Sequence, residues 1–103
     1  MKHIEEIRSN FRNKDIYLSD HAQTKAVERN ISYYEIIEAG AESIIIEDYP
    51  YDKYSPSCLL FGYTQRKRPL HLHVSRKDSN IIKIITVYEP NEEEWFNFME
   101  RKK

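Results

Sequence analysis

The sequence predicts an α+β domain: N-terminal helices covering one face of a four-stranded antiparallel meander, with one more helix closing the chain. Three observations carry this. Between His3 and Gly40, apolar residues recur three and four apart, as on one side of a helix. From Ile44 onward the pattern changes to alternation and β-branched runs separated by polar turns. The longest such stretch, Pro69 to Pro90, reads as two strands joined by Lys77-Asp78-Ser79-Asn80.

Each element has its own signal. His3 to Asn13 is an amphipathic helix with Ile4, Ile7 and Phe11 in one stripe. Ile16 to Leu18 is a brief extended link. Ser19 or Asp20 caps a second helix, Asp20 to Arg29, with Gln23 at the reciprocal position if Asp20 is the cap. Ser32 and Glu35 form a capping box that opens a third helix, and Gly40 is its natural stop. Strands are expected at Ile44–Tyr49, Ser57–Thr64, Pro69–Ser75 and Ile81–Tyr88. Alternation in the third puts Leu70, Leu72 and Val74 on one face and His71, His73 and Ser75 on the other. Asn91 with Glu94 predicts a closing helix whose Trp95, Phe98 and Met99 share a face, ending in Arg101-Lys102-Lys103.

A chain of 103 residues makes one domain, residues 1–103, with a single modest core. Net charge is −1, which argues against a surface coated in positive charge but leaves room for a local basic patch. The lone Cys58 lies in an apolar run, so it reads as a buried inert thiol and not as part of a disulfide framework. No stretch approaches the roughly 18 apolar residues of a membrane span. The charged N-terminus carries no signal-peptide core, so a cytoplasmic location is expected.

Three sets of residues could carry chemistry. His21, Lys25 and Arg29, four apart, line one side of the second helix and could hold a phosphate, or else cover the core edge with their stems. His71 and His73 share a strand face roughly 7 Å apart, placed for acid–base work or simply half-exposed. Metal binding is the weaker idea, because a His-x-His pair needs a further ligand and no acidic motif follows; no cofactor is implied. Arg66, Lys67 and Arg68 at one end of that strand, with Arg76 and Lys77 at the other, could flank an anionic polymer or be ordinary solvated turns. Tyr88, at the exit of the last strand, is a candidate donor to a phosphate or a core residue.

Ser19-Asp20-His21-Ala22, then Lys25, Arg29 and Ile31-Ser32, resembles the opening motif of the small bacterial and archaeal family called domain of unknown function 4258. Arg68-Pro69-Leu70-His71 and Ile85-Thr86-Val87-Tyr88-Glu89-Pro90 fit its later pieces. Lys25 stands where that family usually has arginine, Ala26 where methionine is common and Asn30 where it usually has glycine. Asn30 tolerates the left-handed backbone glycine would supply.

That family resembles the RelE/ParE and BrnT toxins, which implies their fold and metal-independent RNA cleavage opposed by a small antitoxin protein. The resemblance implies His21 or His71 in proton transfer and Lys25, Arg29, Arg66 and Arg68 on phosphate. It gives Tyr88 the orienting of the scissile group, and His73, between the two basic clusters, joins the phosphate- and RNA-binding set. The enzyme reading predicts that the basic turn, the His71/His73 face and the helix stripe converge on one concave surface. The alternative is a non-catalytic protein-binding module of the same fold, with a tyrosine-rich patch around Tyr49 to Tyr54.

Overall fold

In the computed structural model, which describes residues 1–103, helix α1 (Ile4–Arg12) buries Ile7 and Phe11 completely. Strand β1 (Ile16–Leu18) follows, then α2 (Asp20–Glu28) and α3 (Tyr33–Ala41). Ser19 is the cap of α2: its Oγ accepts from the Ala22 N–H and donates to the Ile85 carbonyl. Gln23 does not close a capping box but donates to the Leu18 carbonyl. The Ser32–Glu35 box of α3 is present in both directions. Asn30, between α2 and α3, has φ 54°, the left-handed backbone that a short polar side chain accepts.

The strands β2 (Ile44–Tyr49), β3 (Ser57–Tyr63), β4 (Pro69–Ser75) and β5 (Ile82–Tyr88) pair antiparallel in chain order. The predicted four-stranded meander nevertheless needs correcting. The sheet has five strands in the order β1-β5-β4-β3-β2, and it is mixed, because β1 runs parallel to β5. Three residues are too few to show a period, and their partner lies more than sixty positions away, with Ile16 facing Ile82. The link that read as merely extended is an edge strand.

The closing helix also fails to form. Asn91 does cap a turn, its Oδ1 accepting from the Glu93 N–H, but the chain then enters a hairpin of β6 (Trp95–Phe96) and β7 (Glu100–Arg101). Its loop has Asn97 and Phe98 at φ 51° and 63°, and the Met99 N–H closes it onto the Phe96 carbonyl. A short helix standing alone gains little in water. The hairpin lets Trp95 reach the outer face of the sheet, and that burial wins.

All three helices lie on the other face. The core between the layers joins Ile7 and Phe11 to Ala22, Ala26, Ile36 and Ala39 from the helices and to Leu60, Leu72, Val74 and Ile84 from the sheet. Cys58 is among them, and burial pushes its thiol up to about 12, so it is inert at neutral pH. No helix is long and apolar enough to cross a membrane.

Candidate functional site

The outer face of the sheet divides in two. Over Phe61, His71 and Tyr88 lies the C-terminal hairpin. His71 is fully buried, with the Trp95 ring edge-on at 4.5 Å and the Tyr88 ring at 5.2 Å. Its Nε2 meets the Phe98 carbonyl at 2.6 Å. A carbonyl only accepts, so Nε2 carries the proton and Nδ1 takes the Tyr88 hydroxyl hydrogen at 3.1 Å. Burial lowers the imidazole pKa, with the Phe98 carbonyl opposing, and pushes the Tyr88 phenol up to about 12. Both nitrogens of His71 are engaged beneath a tryptophan, so neither faces a solvent-filled cleft.

The other half of the face is open. A cleft of about 810 Å³ is lined there by His21, Asp52, His73, Lys77 and Lys83, with Tyr17 and Tyr54 beside them. Alternation on β4 and β5 sends His73 and Lys83 outward while Val74 and Ile84 go to the core. His21 arrives at the rim because Ser19 pins the start of α2 to β5. Burial lowers the His73 pKa, with Asp52 opposing, which favours a neutral ring near pH 7. A second depression, about 820 Å³ between α3 and the β2–β3 edge, contains no imidazole or thiol. The first is the better candidate on chemistry.

The arginines do not join these imidazoles. Arg68 donates to Glu89 at 2.7 Å, to Glu35 at 3.1 Å, and to the carbonyls of Asn30 and Arg29 at 2.8 and 3.0 Å. It ties the α2–α3 turn to the sheet. Glu35 is held below the usual carboxylate range, because the Ser32 N–H and Arg68 together outweigh the opposing effect of burial. Arg29 donates to the Val87 carbonyl at 2.8 Å, Lys25 pairs with Glu28 at 3.1 Å, and Arg66 stands exposed in the β3–β4 turn without an ion pair. Arg76, 8% exposed, clamps the Lys2 carbonyl and Asp48. The expected single cleft uniting the helix stripe, both histidines and the basic turn is thus corrected. His21 and His73 both line the open cleft; His71, Tyr88, Lys25 and the arginines lie elsewhere.

Arg68→Met is expected to destabilise the domain by about 1–3 kcal/mol, since two carboxylates and two carbonyls lose a charged donor. Arg66→Ala is expected to stay within about 0.5 kcal/mol of the parent. Urea midpoints measured side by side decide between them; equal effects would show that Arg68 does not have this structural role.

Sequence reasoning missed Asp52, Ser57 and Lys83. Lys83 left a signal, as the one charged residue within Ile81–Tyr88. Asp52 left none, because a loop residue has no period to betray which way it folds back. No three His, Cys, Asp or Glu side chains come together as a metal site requires.

The fold and cleft define a small α+β domain with an imidazole- and lysine-lined site on the uncovered half of its sheet. The chain belongs to the family described as Domain of unknown function (DUF4258), whose sequence profile matches residues 18–89. That span holds every cleft residue but Tyr17 and stops short of the C-terminal hairpin. No curated protein and no solved structure matches the chain.

Proposed function

We propose that this cleft binds a single RNA strand and cleaves it without a metal. The observation that carries the reading is the placement of two histidines and two lysines around one open cavity, with exposed tyrosines at its margin. Lys77 and Lys83 attract phosphate, and Tyr17 and Tyr54 offer faces on which unpaired bases stack. His73, neutral, takes the proton of a 2′-hydroxyl as its oxygen attacks the adjacent phosphorus. The new O2′–P bond forms as the P–O5′ bond breaks, and His21 delivers a proton to the departing O5′. The products are a 2′,3′-cyclic phosphate and a 5′-hydroxyl, and the lysines stabilise the extra negative charge between them.

A toxin–antitoxin setting, in which a small antitoxin protein would cover the cleft, rests only on the family likeness to RelE/ParE and BrnT toxins read from the sequence motifs. The full chain, incubated in EDTA with a fluorescent single-stranded RNA, is expected to produce cyclic-phosphate ends. His73→Ala and His21→Ala should each lose that product. Binding should weaken with salt at a log–log slope of about −1.4 for two phosphates, and Lys83→Ala should reduce the slope by about 0.7. RNA that is bound but never cut overturns the catalytic part. RNA that is not bound overturns the whole reading.

A second reading, a protein-binding module, is favoured by Tyr51 and Tyr54, which are 96% and 90% exposed on the β2–β3 loop. Indifference to RNA, with co-purification of a partner lost on Tyr51→Ser/Tyr54→Ser, would select it.

A further inference from the structure

In the wall of the cleft, three side chains from three segments form a chain. Asp52 lies in the β2–β3 loop, Ser57 opens β3, and His73 is on β4. The Ser57 hydroxyl donates to Asp52 Oδ2 at 2.5 Å, and its oxygen sits 2.9 Å from His73 Nε2. Asp52 and His73 are themselves 3.8 Å apart, too far for a hydrogen bond, so the serine is the bridge.

A serine has one hydrogen. An ionised aspartate can only accept, so that hydrogen goes to Asp52, and Ser57 can offer His73 only a lone pair. Nε2 must then be the protonated nitrogen. His73 Nδ1 has no hydrogen-bond partner in the protein, yet no buried side-chain nitrogen or oxygen is left unpaired. Nδ1 is therefore reached by solvent, and its residue lines the cleft. Ser57 is fully buried, and the Tyr49 ring stands edge-on to the imidazole at 5.6 Å, so the ring is held from two sides.

We propose that Asp52 and Ser57 are positioning residues that fix His73 as its Nε2–H tautomer and present Nδ1 to the cleft as the proton acceptor. As a catalytic device this rests on the cleavage reading above; as a statement about where the proton resides, it does not. When Nδ1 takes a proton the ring becomes cationic, and Ser57 relays the Asp52 charge to the far side of it. The Ser57 hydrogen bond holds the Asp52 carboxyl below the usual carboxylate range, so it stays ionised at neutral pH. The other titratable groups around His73 are His21, Tyr49, Tyr54, Lys77 and Lys83.

Long-range proton–nitrogen NMR correlations of the ¹⁵N-labelled full chain, above the imidazole titration, read the tautomer directly. His73 is expected to show a protonated Nε2 and a bare Nδ1. In Ser57→Ala and Asp52→Ala the Nδ1–H form should appear in exchange with it. Asp52 is a loop residue, so that variant keeps the test sound if the buried serine change perturbs folding. In the RNA assay both variants should lower kcat about tenfold with KM unchanged and move the acid limb of the pH profile, whereas Lys77→Ala should raise KM. A wild-type ring protonated at Nδ1, or ring signals indifferent to both substitutions, would overturn the relay. A fixed tautomer in a chain that cuts no RNA upholds the relay and removes the cleavage reading.

Discussion

Gly62→Ala is expected to destabilise the domain by about 3 kcal/mol or more, an effect at the upper end of what overpacking does. A Cβ on Gly62 would lie 2.0 Å from the Ala39 carbonyl oxygen and 2.8 Å from its carbon. Those are backbone atoms of α3, so relief requires the helix to lift off β3. It cannot lift freely: Glu35 in its first turn accepts from Arg68 at 3.1 Å, Glu38 accepts from the Gln65 N–H at 3.1 Å, and the Phe11 ring packs on Gly40. Alanine would gain roughly 0.5–1 kcal/mol over glycine in a strand by restricting the unfolded chain, so the clash must exceed that before any loss appears. At 2.0 Å it does. Gly40→Ala makes a useful contrast. Its Cβ would meet Phe11 ring atoms at 2.2–2.4 Å, Cγ among them, so the buried ring and α1 must shift. That costs stability, but a side chain yields more than a backbone carbonyl does, and helix propensity improves by about 1 kcal/mol. Gly40→Ala should therefore be the milder change. Chemical denaturation of both variants tests this, and a Gly62→Ala midpoint at or above that of Gly40→Ala would refute the helix–strand contact as the limiting one.

These two glycines show where sequence reading ends. Gly40 looked like a helix stop, yet α3 continues through it to Ala41, and no glycine in the chain has a positive φ. Lys14, Asn30, Lys67, Asn97 and Phe98 take those positions, while both glycines serve close approach between layers. Local sequence carries the period of a strand and the chemistry of a cap, which is why Ile44–Tyr49, Pro69–Ser75 and the Ser32 box were legible. Alternation also put His71 and His73 on one face correctly. It could not say that Trp95 would cover one and leave the other beside Asp52, because that depends on contacts across more than twenty residues. The same gap explains the arginines. Arg68 read as a free cation because its partners, Glu35 and the Arg29 and Asn30 carbonyls, come from a distant turn.

Trp95→Ala is expected to release the C-terminal hairpin from the sheet and return His71 to solvent. Truncating a buried tryptophan costs about 3–5 kcal/mol where the surroundings cannot adjust. Here they can. The hairpin is held by Trp95, by the His71–Phe98 hydrogen bond and by the Arg101–Glu47 pair at 2.8 Å, and its own two strands are short. Once the ring is gone, the segment can detach as a unit while the helices and the five-stranded sheet remain, so the global loss is capped at the docking free energy of the hairpin. The sharper readout is His71. Burial under Trp95 now holds its pKa below the ordinary 6.5, so the ring is neutral in the fold where the unfolded chain would start to bind a proton. Stability from this site is therefore present above pH 6.5 and declines as pH falls below it. In Trp95→Ala the His71 titration should rise toward the ordinary value and that part of the acid sensitivity should fade, while His73, on the open half of the face, keeps its own titration. A ring titration of His71 unchanged by the substitution would mean that the hairpin does not set its environment.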